Sequence, residues 1–166
     1  MPTVQPAALP AGALLHKYVE TGAYTDCYCV TVDRPASLPE FIEAFCTTPL
    51  FKLERWLLSL TPGLRSTDAQ AGELAGGTRE NFAAWSVQAR QSDQILLAAG
   101  RTRSWLMVGT PMDVRGAGHL LFFGSAVVPR RPGGLGWQFT ALLGLHRLYS
   151  RLLLGAAARR LAGRPS

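Results

Sequence analysis

The chain has 166 residues, of which 48% are apolar and 17% charged, with a formal net charge of +6. That length makes one domain able to build its own core. The low charge, against about 25% in an ordinary globular protein, excludes intrinsic disorder and implies that much surface is covered by something other than water.

Residues 1–22 are rich in Ala, Pro and Gly and read as an N-terminal arm. They lack a basic leader region, so a signal peptide is not expected. Residues 23–162 read as one domain. It opens with YTDCYCVTV, dense in aromatic and β-branched side chains and so a predicted strand, which Asp33-Arg34-Pro35 ends. Ser37 and Glu40 have the spacing of a capping box, predicting a short helix that buries Phe41, Ile42 and Phe45. Thr48-Pro49 restarts the helix, because proline suits a first helical position. Leu50, Leu53, Leu57 and Leu60 then recur at helical spacing beside Trp56, and Thr61-Pro62-Gly63 stops the run.

Residues 63–81 are polar and contain glycines, which predicts a long loop. Three or four strands follow, over 82–90, 94–99, 102–109 and 119–128. The short connections at Gln91-Ser92-Asp93 and Gly100-Arg101 predict an antiparallel meander. The connection 110–118, with Pro111, Gly116 and Gly118, is a wider loop. Trp105-Leu106-Met107-Val108 and Leu120-Leu121-Phe122-Phe123 put apolar groups on both strand faces. A half-wet sheet alternates, so the second face is expected to be covered, most simply by another copy in a homodimer.

Residues from 135 to about 161 carry the strongest helical pattern. Leu135, Leu142, Tyr149 and Leu153 share a stripe flanked by Phe139 and Leu145, opposite Thr140, Arg147 and Arg151. Residues 163–166 read as a disordered tail. Residues 130–166 carry seven arginines and no acid, whereas residues 1–129 hold ten basic against eleven acidic side chains. The arginines Arg130, Arg131, Arg147, Arg151, Arg159, Arg160 and Arg164 read chiefly as the wet side of this helix. No basic–aromatic stripe of the kind that binds single strands is interleaved, so a nucleic-acid partner is not expected. The uncharged apolar stretches 120–129 and 135–145 fall far short of the ~20 residues that span a bilayer.

Cys27, Cys29 and Cys46 are odd in number. Cys27 and Cys29 lie two apart on one strand face, where a mutual disulfide would be strained. They read as reduced, buried thiols, which places the protein in the cytoplasm. No second Cys pair or nearby His offers a zinc site. Fingerprints for dinucleotides, phosphate loops, zinc helices and nucleophile elbows are missing, so neither cofactor nor metal is expected.

His146 falls inside the apolar stripe of the last helix while Arg147 points outward. A titratable imidazole aimed at the core is either a satisfied core histidine or an acid/base group in a pocket. Asp26, in mid-strand with Tyr24 and Tyr28 on its face, is a candidate partner, because an unpaired buried carboxylate is costly. Arg103 shares a face with Trp105 and Met107 and is expected to look inward. His16 and His119 are read as surface residues.

The element order resembles the helix-grip architecture of the START-like (SRPBCC) superfamily, in which a curved sheet wraps a long helix around a cavity. More closely, YTDCYCVTVD, FAAWSVQARQSDQILLAAG-RTRSWLMV and LGLHRLYSRLLLGAAARRL resemble the uncharacterised DUF2867 family over about residues 20–162. The family's strand Asp matches Asp26 and its helical His-Arg matches His146-Arg147. The sheet is expected to be shorter than a full seven-stranded one. The resemblance implies a hydrophobic pocket between sheet and helix, a setting used elsewhere for lipid transport, polyketide aromatisation and cofactor-free cyclisation.

The expected fold is therefore α+β, an antiparallel sheet around a long C-terminal helix. The expected function is cofactor-independent proton transfer of cyclase, isomerase or dehydratase type on a hydrophobic, secondary-metabolite-like molecule. His146 and Asp26 would be catalytic, with Tyr28, Arg103, Trp105 and Tyr149 contacting substrate. A non-catalytic carrier of an apolar ligand, and an interaction protein docking through the basic helix, are the alternatives.

Overall fold

The computed structural model describes residues 3–109, 118–129 and 137–163, with side chains from residue 143 onward in the last segment. Seven strands form one antiparallel sheet in the order β1-β2-β7-β6-β5-β4-β3. These are β1 (Gln5–Pro6), β2 (Tyr24–Val32), β3 (Asn81–Phe82), β4 (Trp85–Arg90), β5 (Gln94–Ala99), β6 (Thr102–Gly109) and β7 (His119–Val127). The helices are α1 (His16–Glu20), α2 (Leu38–Cys46), α3 (Pro49–Leu58), α4 (Asp68–Gly76) and α5 (Trp137–Ala162). The architecture is the α+β, helix-grip-like arrangement anticipated from the element order, with α5 packed on the sheet.

Local chemistry explains the helix starts. Ser37 accepts from the Glu40 amide while Glu40 accepts from the Ser37 amide, closing the capping box of α2. Leu38, Phe41, Ile42 and Phe45 then follow at i, i+3, i+4 and i+7 and are buried. Each such side chain contributes about 1.5–3 kcal/mol by leaving water. Thr48 caps α3, with Pro49 at its first position.

The main core lies between α2, α4 and α5 and the sheet face that carries Tyr28, Val30, Leu97, Leu106 and Phe123. The other face holds Cys27, Leu96, Trp105 and Ala126, covered by Ala13, Leu15 and neighbouring residues of the N-terminal segment. Gly124 permits this second layer. A Cβ there would sit 2.9 Å from the Asp26 carbonyl oxygen and from Leu15, and 3.0 Å from the Trp105 ring.

Several expectations are corrected. Within the segment expected as an N-terminal arm, residues 3–22 are packed on the domain: β1 pairs with β2, and the segment roofs the second sheet face. The apolar second face assigned to another copy is therefore covered within one chain. The sheet has seven strands, because β1 and β3 are two-residue pairings too short to leave a pattern. The loop 63–81 contains α4, started by a Thr67–Gln70 capping box and ended by Gly77 at φ 79°. Most of the predicted leucine stripe faces outward: Leu53 and Leu57 of α3 and Leu60 beyond its end are exposed, as is Trp56, while Leu50 packs against the core. Leu145 of α5 is exposed too. His16 and His119 are half-buried and bonded, His16 to the Pro10 carbonyl and His119 Nδ1 beside the Ala36 backbone. The wide loop 110–118, apart from Gly118, lies outside the described residues. So do the side chains of Arg130, Arg131, Leu135, Phe139, Thr140 and Leu142, and the tail at 164–166.

Arg55 takes the inward position on α3 and ties three segments together. It donates to the Cys46 carbonyl, to the Ser66 side chain and carbonyl, and to Asp68 at 2.8 Å. Arg55→Ala is expected to cost roughly 1–3 kcal/mol, because a buried carbonyl loses its donor. Urea denaturation checks this, and Arg55→Lys should recover little, lacking the planar fork.

Candidate functional site

Asp26 pairs across the sheet with Ser125 of β7, and Ser125 pairs in turn with Ser104 of β6. Directly paired residues share a face, so three small or polar side chains run in one row beneath α5. Ser125 donates to Asp26 Oδ1 through both its hydroxyl, at 2.7 Å, and its backbone N–H, at 3.1 Å. Tyr24 donates to Oδ2 at 3.1 Å and accepts from Arg147 Nε at 3.2 Å.

His146 enters from α5. Its Nε2 lies 2.8 Å from Ser125 Oγ and 3.4 Å from Asp26 Oδ2. The single Ser125 hydroxyl proton points to Asp26, so the hydrogen between His146 and this pair resides on Nε2. The basic lone pair is then on Nδ1. A hydrolase relay would need serine and carboxylate on opposite imidazole nitrogens. Here both contacts use the same nitrogen, and Ser125 acts as a clamp rather than a nucleophile.

Asp26 has 9% of its side chain exposed, and His146 26%. Burial alone would raise the Asp26 pKa, but hydrogen bonds from His146, Ser125 and Tyr24 outweigh it and hold the carboxyl below its usual range. Asp26 is thus ionised at neutral pH. Burial pushes Tyr24 up, opposed by Arg147 and reinforced by the charge of Asp26.

Ser125 and His146 open on a cavity of about 310 Å³ between the sheet and helices α3 and α5. Its apolar wall is aromatic, from Phe45, Phe51, Trp85 and Phe123. Phe45 stands 5.0 Å from Phe123 and Phe51 5.0 Å from Trp85, ring centre to ring centre. Glu54 of α3 and Tyr149 of α5 form a second polar place in the wall, where the Tyr149 hydroxyl donates to the Glu54 carboxylate. Burial pushes Glu54 up, against the hydrogen bond from Tyr149. Burial and the Glu54 contact both push Tyr149 up.

Of the residues singled out in the sequence, the structure brings together Asp26 and His146 and places His146 and Tyr149 in the cavity wall, while Asp26 itself sits behind Ser125 and does not line that cavity. Tyr28 shares the Asp26 face but is buried in the core and flanks a separate depression with Arg147 and Arg151. Arg103 and Trp105 are corrections: both lie on the opposite sheet face. Arg103 donates to Tyr18 and stacks over its ring, and Trp105 is fully buried with Leu15, donating to Gln94. Thr102 and Ser104 hold the cavity side of that strand instead.

Sequence reasoning missed Ser125 and Glu54. Ser125 is a small polar residue inside an apolar strand, and only the pairing of β2 with β7 sets it against Asp26. Glu54 was detectable as an acid inside a leucine-rich helix. The three thiols are free, and burial pushes all of them up, Cys27 and Cys46 to about 12, which keeps them inert. Among the described residues no group of three His, Cys, Asp or Glu side chains could hold a metal ion, and no helix is long and apolar enough to cross a membrane.

No family model matches the chain. No curated protein matches it either. Among solved structures it is similar to CalU16 from Micromonospora echinospora, with a TM-score of 0.31 and 15% identity over 96% of this chain and 92% of that one.

A carboxyl whose pKa is depressed by folding contributes stability above its unfolded value and loses it as pH falls through the folded one. Asp26→Asn is therefore expected to flatten the acid limb of stability below about pH 4. At neutral pH it should cost roughly 1–3 kcal/mol. Urea unfolding from about pH 7 down to pH 3 measures both. Glu40 and Asp68, also held low, titrate in the same window in both proteins and cancel in the difference.

Proposed function

We propose that this protein is a cofactor-independent enzyme that moves protons on a hydrophobic small molecule held between the sheet and α5, in cyclase, isomerase or dehydratase chemistry. The observation that carries the reading is the hydrogen-bonded row Asp26–Ser125–His146 opening on an aromatic-walled cavity. A volume near 310 Å³ lies at the small end of ligand pockets, and such sites combine apolar walls with a few placed polar groups.

His146 is the proton acceptor in this scheme. Ionised Asp26 faces its Nε2–H, fixes the tautomer and stabilises the imidazolium once Nδ1 has taken a proton. Ser125 and Tyr24 hold Asp26 in place without competing for that proton. The apolar walls confine a flexible substrate in one folded shape, which removes part of the entropic barrier. The family resemblance enters only as fold analogy, and fold does not fix function.

The second reading is a carrier of an apolar ligand. It draws on the same network, since Asp26 is already satisfied by Ser125, Tyr24 and His146 and could serve structure alone. The discriminating experiment supplies an enolisable aromatic ketone, 2-tetralone, in D2O and follows deuterium uptake by mass spectrometry. The enzyme reading expects uptake faster than buffer, reduced about 10²–10⁴-fold in His146→Ala, with the variant still folded. Binding of the ketone without faster exchange, or equal exchange in His146→Ala, would establish the carrier reading.

A further inference from the structure

The cavity has two polar places, and the function proposed above uses only one of them. On α5, His146 and Tyr149 are three residues apart on the cavity-facing side, which sets their Cβ atoms about 5–6 Å apart. Glu54 reaches the Tyr149 hydroxyl from α3 on the far side of the cavity wall. Both groups of the pair are half-buried against the aromatic walls. No lysine or arginine lines this cavity among the described residues, so an anionic ligand finds no countercharge there.

We propose that Glu54 and Tyr149 form an oxygen-binding site that receives the carbonyl or phenolic oxygen of a neutral aromatic ligand and stabilises negative charge developing on it. Burial pushes the Glu54 carboxyl up, toward the form that carries a proton, against the hydrogen bond it accepts from Tyr149. When Glu54 takes up a proton the bond between the two reverses: the carboxyl donates to the Tyr149 oxygen, and the Tyr149 hydroxyl is released to donate to the ligand. Partly withdrawn from water, such donors act more strongly than in bulk solvent.

The chemistry rests on the proton-transfer reading; the binding rests on the cavity alone. With a carbonyl oxygen at Tyr149, the ligand's α-carbon, bonded to the carbonyl carbon, is the one placed toward His146. Nδ1 takes the proton from that carbon, the C–H electron pair becomes a C=C bond, and the C=O π pair moves onto oxygen. Return of the proton from His146 to the same or a conjugated carbon restores the carbonyl. No oxidant or co-reactant is consumed. This selects enolisable ketones and phenol-like enols as the ligand class.

The experiment compares 2-naphthol with naphthalene, equal in shape but differing by one hydroxyl, using their own fluorescence to measure affinity for the full chain. Wild type is expected to prefer 2-naphthol by roughly tenfold, about what one hydrogen bond supplies. Tyr149→Phe, which removes only the hydroxyl, should bring that preference to within about twofold. Glu54→Leu, which removes the supporting partner, should lower it at least threefold. The ratio cancels any general loosening of the cavity, which would weaken both ligands alike. A wild type without preference, or a preference kept in both folded variants, overturns the proposal. Loss of preference in Tyr149→Phe alongside no deuterium exchange in wild type keeps the oxygen site and removes the proton-transfer reading. Exchange that depends on His146 with naphthol preference unchanged in both variants does the reverse.

Discussion

The antiparallel pairing of β2 with β7 is the constraint on which the site depends. Nine consecutive residue pairs join the two strands, from Tyr24 with Val127 to Val32 with His119. Because side chains alternate with a period of two, a slip of one residue would put the whole set on the other face. The apolar partners fix the register: Val30, Val32, Leu121 and Phe123 must all meet the helices. Asp26 and Ser125 are carried along by that requirement and arrive side by side under α5.

A carboxylate placed this way would be intolerable without partners. The sheet supplies Ser125 and Tyr24, and the helix supplies His146, so each Asp26 oxygen has a donor. The network also locks the imidazole. A histidine in an apolar stripe could turn in several ways, but Nε2 held against Ser125 and Asp26 allows only one tautomer at neutral charge. The orientation of the imidazole is thus a by-product of satisfying the carboxylate.

The cavity itself follows from how α3 is held. Arg55 anchors α3 to the end of α2 and to α4, while Glu54 meets Tyr149 of α5. Phe45, Phe51, Trp85 and Phe123 pack against one another at ring distances of 5.0–5.5 Å and prop the helix away from the polar row. On the reverse side of the sheet, the N-terminal segment buries Trp105 and Leu96 and gives the strands their second apolar face. The sheet is therefore a wall with a filled back and a front that is packed everywhere except at the cavity.

Local patterns in the sequence determined the elements. The β-branched run at 24–32, the capping box at Ser37 and the proline at position 49 each act within a few residues, so each is legible without the fold. The long period of α5 likewise set His146 inward, since helical phase accumulates over many residues and tolerates a small error. Tertiary structure alone decided which sheet face the cavity lies on, because Trp105-Leu106-Met107-Val108 is apolar on both sides and periodicity cannot rank two buried faces. It decided that Arg103 and Trp105 turn toward the N-terminal segment. It also decided that Ser125 and Glu54 join the site, for their partners lie about a hundred residues away in the chain and only pairing and packing bring them together.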